Sequence, residues 1–452
     1  MVGAEQSHAQ DASEVGAPPR LGVLIVAENA SLSLGGEAYL SVQWFRELLR
    51  AGVDVHLLVH ARARRELDRS LAEFADRIHY VPDVFLQRIL WELGKLLPPR
   101  IGDFTSGWLV HLITQFRQRP VARRLIRQYE IGVVHEPSPV SPRLPSMMYG
   151  LGVPVVIGPM NGNMTYPPRH RPRRAFAEQA FVSLARGVAG LANTLIPGKR
   201  RADVLLVANE RTRSALPSGY GGKVEILCEN GVDPDLWQHP GDLPVPSAPG
   251  LRLAFVGRLM DWKGADLVLD VLAEVRRQMP SAELWIIGDG PERARLRARA
   301  AALGVSGAVT FHGWVSREDC ARLLSQSDIL VFPSVLECGG AAVLEAMALG
   351  LAVVALNWGG PSDYLAGGIG VLIEPAGRRE TVAGLVEAVL SLTPGRRQEL
   401  GEAAQRRIAA QYSWPAKVRR ILDIYRSVYR FPDDVPVQER QAPSPDRPAC
   451  RP

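Results

Sequence analysis

From Leu251 to Pro375 the chain alternates short apolar runs with helix-length segments. The runs are LRLAFVG, ELWIIGDG, AVTFHGWV, DILVFPS, AVVALN and IGVLIEP, and helices are predicted to start near Ala265, Pro291, Arg317, Ala341 and Arg379. Near-continuous apolar runs belong to strands covered on both faces, and strands joined by crossover helices run parallel. The expected fold class is therefore α/β, with a Rossmann-like, doubly wound parallel sheet. Such a sheet takes its ligands at the carboxyl ends of its strands.

The first half repeats the theme. GVLIVAEN (Gly22–Asn29) reads as a buried strand, Glu37–Gly52 as its helix, stopped by Gly52, and Val53–His60 as the next strand. Ile131–Pro137, Val153–Asn163 and Val204–Asn209 read as further strands, before KVEILCENGVD closes the domain. Residues 62–130 read as mostly helical and arginine-rich, around an apolar section that includes Phe85, Ile89, Trp91, Leu96 and Trp108. HPGDLPVPSAPG (239–250) is a proline-rich linker. The predicted organisation is a disordered arm at 1–19, a Rossmann-like domain at 20–238, the linker at 239–250, and a second Rossmann-like domain at 251–412. A last helix at 413–431 and a disordered tail at 432–452 follow.

A chain of 452 residues has room for two such domains and their cores. The formal charge of +6 and pI of about 9.3 suit anionic small molecules or a membrane surface, and do not by themselves argue for nucleic acid. The four cysteines, Cys228, Cys320, Cys338 and Cys450, lack metal-site spacing and suit a reducing cytoplasm. Residues 1–20 have no apolar core of a signal peptide, and no stretch is long enough to span a bilayer. Hydrophobic helices rich in arginine can lie on anionic membranes, so a peripheral membrane position is a further expectation for the 62–130 region.

The chemistry concentrates in VFPSVLECGGAAVLEAMALG, residues 331–350. A strand ends, a glycine pair follows, and a helix of good formers begins. A helix start offers free N–H groups and a positive dipole end, which suit phosphate. Gly339 and Gly340 let a ligand approach the backbone. Glu337 and Glu345 accept hydrogen bonds from hydroxyls. Diphosphate plus hydroxyls describes a nucleotide sugar.

Glu337 and Glu345, with seven residues between them, together with the block ECGGAAVLEAMALGLAVVA, resemble the signature of the family 4 retaining glycosyltransferases. The resemblance implies a GT-B architecture, two Rossmann-like domains facing each other across a cleft, with the last helix packing back on the first domain. It assigns Arg258 and Lys263 to the donor diphosphate, Glu345 to the ribose and Glu337 to the transferred sugar. The amides of Gly339, Gly340 and Ala341 would cradle the distal phosphate, with Cys338 in the same turn and Val315 where backbone reads the base. In the first domain, Gly35 and Gly36 would approach the donor. Where the family often has a loop histidine, this chain has Gly158-Pro159-Met160-Asn161-Gly162, so Asn161 is the expected substitute and Gly162 its neighbour. His135 is a second candidate on the acceptor side. The Asp233-Pro234-Asp235 pair mimics a metal motif of another fold and reads as a turn cap.

The resemblance implies a hexosyltransferase with retained configuration, using a nucleoside-diphosphate sugar, needing no metal or cofactor, and acting on a glycan, lipid-linked or small-molecule hydroxyl. Two alternatives stand beside it: a non-catalytic nucleotide-sugar-binding subunit of a glycan-assembly complex, and a nucleotide-sugar epimerase of the same fold.

Overall fold

The structure is a computed structural model that describes residues 21–32, 36–96, 103–170, 187–237 and 250–429. Gly35, the predicted arm, most of the linker and the predicted tail lie outside the described residues.

Two parallel sheets form. The first contains β1 (Gly22–Val26), β2 (Asp54–His60), β3 (Ile78–Val81), β4 (Ile131–Glu136), β5 (Val155–Met160), β6 (Val204–Val207) and β7 (Lys223–Ile226). Their spatial order is β3-β2-β1-β4-β5-β6-β7. The second contains β8 (Arg252–Val256), β9 (Glu283–Ile287), β10 (Val309–Gly313), β11 (Ile329–Phe332), β12 (Ala352–Leu356) and β13 (Val371–Ile373), in the order β10-β9-β8-β11-β12-β13. Every run predicted in the second half becomes one of these strands.

In both sheets the order reverses beside the first strand, between β1 and β4 and between β8 and β11. Crossover helices leave to opposite faces there and open a crevice at the strand ends. The strands are apolar on both sides because helices cover both, as the fully buried GVLIV of β1 and AVVAL of β12 show.

The helical reading of 62–130 misses β3. IHYV is short, sits at the sheet edge and carries two polar side chains. Only its pairing with β2, Leu57 opposite Ile78, makes it a strand. Long-range pairing of this kind leaves no local periodicity to read.

The helix Trp414–Val428 leaves the second domain and packs on the first. Ser413 caps it by accepting from the Ala416 N–H, and Pro415 occupies its first turn. Its apolar face, Trp414, Val418, Ile421, Ile424 and Tyr425, joins the core around β1 with Trp44, Phe45 and Leu48. Trp414 meets Trp44 edge to face at 5.0 Å. The Val232 N–H donates to Tyr412 O at 2.8 Å and the Trp414 N–H to Val232 O at 2.9 Å, so the returning chain is stitched to the Asn230-Gly231-Val232 turn. Trp414→Ala is expected to lower unfolding free energy by about 3–5 kcal/mol, read by chemical denaturation.

Candidate active site

After β8 the chain makes a short turn, Asp261–Lys263, ending at Gly264 with φ 75°. A Cβ at Gly264 would stand 2.6 Å from the Pro333 carbonyl oxygen, so this turn presses directly on the segment that follows β11. That approach brings the Lys263 ammonium onto the Glu337 carboxylate as an ion pair, at 5.9 Å from the Phe332 ring centre. Arg258 is exposed at the same strand end and makes no side-chain hydrogen bond or ion pair among the described residues.

The helix Ala341–Ala348 begins at Gly340, whose φ of 80° only glycine adopts freely. The N–H groups of Gly339, Gly340 and Ala341 find no acceptor among the described residues. Gly359 holds the loop from behind: the Gly360 N–H donates to Glu337 O at 3.0 Å, and a Cβ at Gly359 would lie 2.2 Å from that oxygen. One helix turn in, Glu345 faces Arg317 at 3.5 Å. Burial pushes the Glu345 carboxyl above its ordinary pKa, and the Arg317 charge opposes this. Burial also drives the Cys338 thiol up to about 11, so it is no nucleophile at neutral pH. Val315 is half-buried two residues before Arg317.

The first domain closes on this surface. Arg317 lies over the Tyr39 ring at 4.7 Å, from the helix Glu37–Arg50. Trp358 Nε1 donates to Thr165 O at 2.9 Å, and Asn209 Nδ2 to Asp363 Oδ2 at 2.9 Å. Gly36 precedes the Glu37 helix with φ 70° and open space where a side chain would be, so its need for glycine is conformational. Gly162 donates its N–H to Thr212 Oγ1 at 3.2 Å.

Two first-domain expectations change. His135 does not face an acceptor: it is fully buried in the core. Its Nε2–H donates to Gly158 O at 2.6 Å, and its Nδ1 accepts from the Tyr425 hydroxyl at 2.6 Å, so both ring nitrogens are occupied. Asn161 is also buried, with Nδ2 donating to Glu229 Oε1 at 2.7 Å and Oδ1 accepting from Thr212 Oγ1 at 3.3 Å. Its amide is engaged at both ends and orients neighbours rather than presenting itself to a substrate. Asp233 accepts from the Asp235 N–H at 3.1 Å, a turn contact as expected.

Sequence reading missed several groups. The helix Trp108–Gln128 buries polar side chains at helical spacing: His111, Thr114, Gln115 and Gln118. A search for apolar stripes passes over a polar one. His111 Nδ1 donates to Glu28 Oε2 at 2.9 Å, at the end of β1, and Arg62 reaches Glu28 Oε1 at 3.2 Å. Burial opposes both charges, yet their mutual contact outweighs it, lowering the Glu28 pKa and raising that of His111. Glu229, beside the Asn-Gly turn, follows a strand, KVEI, that carries two charged residues, so its burial has no local signal.

Residues 249–407 match the family model described as glycosyl transferases group 1. The second half of this chain is a group 1 glycosyltransferase domain. The match covers Arg258, Lys263, Glu337 and Glu345. A glycogen synthase of Mycobacterium tuberculosis is 29% identical over 253 residues, spanning 55% of this chain and 59% of that protein. An alpha-maltose-1-phosphate synthase of Mycolicibacterium smegmatis is 33% identical over 221 residues, 45% of this chain and 56% of that one. The chain thus spans little more than half the length of these curated relatives.

Two solved structures align over almost the whole chain. Sucrose-phosphate synthase from Thermosynechococcus elongatus has a TM-score of 0.61 at 18% identity, covering 91% of this chain and 99% of that one. Anabaena HepE in complex with UDP-glucose has a TM-score of 0.58 at 16% identity, covering 90% and 100%. The fold is GT-B.

Burial, with the Lys417 charge, lowers the His135 pKa to about 4, against the Gly158 carbonyl that raises it. A lowered histidine pKa means the unfolded chain binds the extra proton first. The stability that neutral His135 contributes is therefore complete above pH ~6.5 and is lost as pH falls towards about 4. The loss reaches on the order of 3 kcal/mol, and His135→Gln, though less stable at pH 7, should flatten that acid limb in denaturation series.

Proposed function

We propose that this protein is a retaining glycosyltransferase that moves a hexosyl group from a nucleoside-diphosphate sugar to a hydroxyl of a glycan, lipid-linked or small-molecule acceptor, with no metal. One observation carries the reading. Lys263, Arg258 and the unpartnered amides of Gly339, Gly340 and Ala341 converge at the β8–β11 crossover of a group 1 domain.

Breaking the bond from sugar to diphosphate builds negative charge on the departing nucleotide. A fixed cation at ~4 Å in an effective dielectric of ~20 contributes about 4 kcal/mol towards holding that charge. Lys263 is paired with Glu337. An arriving diphosphate competes for the ammonium and frees the Glu337 carboxylate to accept from sugar hydroxyls. In this reading Glu345 accepts from the ribose. Glu337 orients the sugar, the acceptor hydroxyl attacks on the leaving-group face, and a phosphate oxygen takes its proton.

Support for a nucleotide-sugar donor comes from the group 1 match. That for a glycan-type acceptor comes from relatives named for glycogen and alpha-maltose-1-phosphate synthesis.

A bilayer-facing position at the cytoplasmic side accompanies this reading. No helix of the described residues is long and apolar enough to cross a membrane. Yet the helix Phe85–Lys95 and its surroundings expose Phe85 (78%), Trp91 (57%) and Phe116 (71%). Exposed Arg117, Arg123 and Arg124 lie on the neighbouring helix, so apolar and cationic groups together fit an anionic membrane surface.

Glu337→Ala is expected to lower kcat roughly 100-fold with a smaller change in donor affinity. Arg258→Ala with Lys263→Ala should lose at least ~1000-fold in kcat/KM. Near-normal transfer by that double variant sinks the assignment. A thermal-shift panel of UDP, GDP, ADP and their sugars identifies the donor first. Phe85→Glu with Trp91→Glu should cut co-flotation with phosphatidylglycerol vesicles by roughly tenfold or more at low salt, and a wild type that does not float at all removes the membrane position.

A further inference from the structure

Glu229 is a buried acid at the floor of the cleft, just beyond β7, and the transfer chemistry above gives it nothing to do. Its Oε1 accepts from Asn161 Nδ2 at 2.7 Å and from Asn230 Nδ2 at 2.9 Å. The Cys228 thiol donates to its Oε2 at 3.7 Å. Lys417 donates to the main-chain oxygens of Cys228 and, at 3.3 Å, Glu229.

From Asn161 the hydrogen bonds run on through Thr212, whose hydroxyl donates to Asn161 and whose N–H donates to Asn209 Oδ1 at 2.9 Å, and from Asn209 to Asp363 of the second domain at 2.9 Å. The other side of Glu229 meets the phosphate-facing turn. A Cβ on Gly339 would stand 2.4 Å from Glu229 Oε1 and 2.4 Å from Asn230 Nδ2. Gly339 has no positive φ, so it is space, not backbone conformation, that its missing side chain supplies.

We propose that Glu229 is a positioning residue: with Asn161 and Asn230 it forms a hydrogen-bonded seat in the first domain on which the Gly339 turn of the second domain docks, setting the register between donor diphosphate and acceptor. The proposal rests on the sugar-transfer reading of the cleft for its kinetic consequences, but its structural content does not. Burial pushes the Glu229 carboxyl above its ordinary pKa, against the Asn161 hydrogen bond and the Lys417 charge, which lower it. The thiols of Cys228 and Cys338 are likewise pushed up, to about 12 and about 11, by burial, and stay uncharged at neutral pH.

A 1 Å error in register costs a transfer reaction far more than it costs binding to one domain. Four variants test this: Glu229→Gln, Glu229→Ala, Gly339→Ala, and the double Glu229→Ala with Gly339→Ala. Glu229→Gln keeps shape and hydrogen bonding and should stay within ~3-fold of wild type in kcat. Glu229→Ala and Gly339→Ala should each lose roughly 10–100-fold in kcat, and Glu229→Ala should change nucleotide affinity less than ~3-fold. The double variant, in which the lost carboxyl removes one close contact and releases the Asn230 side chain from its hydrogen bond to Glu229, should recover about tenfold over Gly339→Ala alone.

Hydrogen exchange of the 338–343 amides supplies a readout that needs no substrate. Glu229→Ala should speed it and Glu229→Gln should not. Unchanged exchange in Glu229→Ala, or additive losses in the double variant, overturns the seat. A wild type that transfers no sugar while showing this exchange pattern defeats the transfer reading and leaves the seat standing.

Discussion

Everything at this cleft depends on main chain passing where a side chain would otherwise stand. Gly264 lies against Pro333, Gly359 against the Glu337 carbonyl, and Gly339 against Glu229 and Asn230. These approaches, not any single ion pair, bring the β8 turn, the start of the Ala341 helix and the first domain into one place. A methyl group at any of the three would push apart the groups that make the site, because packed interiors yield only by shifting backbone.

The electrostatics follow from that geometry. A helix start with free N–H groups is a weak attraction by itself. A lysine pressed against the same loop, and an arginine at the neighbouring strand end with no side-chain partner among the described residues, add to it and suit the proposed diphosphate. The Lys263–Glu337 pair compensates both charges. Deeper in, the acids Glu229 and Glu345 have raised pKa values through burial. Cations thus stand at the exposed strand end while the deeper acids carry raised pKa values, a polarity that suits the proposed diphosphate leaving group.

The returning helix Trp414–Val428 explains why the two halves cannot be treated as beads on a string. Its apolar face completes the core of the first domain, and Lys417 ties it to the main chain at Cys228 and Glu229. The same turn that anchors this helix carries Glu229 on its cleft side. Stability of the first domain and register across the cleft thus share one short segment.

Much of this was written in the chain. The apolar runs from Leu251 to Pro375 determined a parallel, doubly covered sheet, because only such strands are apolar on both faces. The order strand, Gly339-Gly340, helix determined a glycine turn at a helix start, and Arg258 and Lys263 follow the first strand of the second half. Tertiary structure alone decided the rest. The strand β3 exists only through its pairing with β2. His135, a strand-end residue open to either reading, was committed to the core when Tyr425, 290 residues away, closed over its Nδ1. Asn161 and Glu229 are separated by 68 residues and became one hydrogen-bonded unit only when β5 and the segment after β7 came side by side. Local pattern records which face of an element is apolar; it holds no record of which distant polar group arrives to satisfy a buried one.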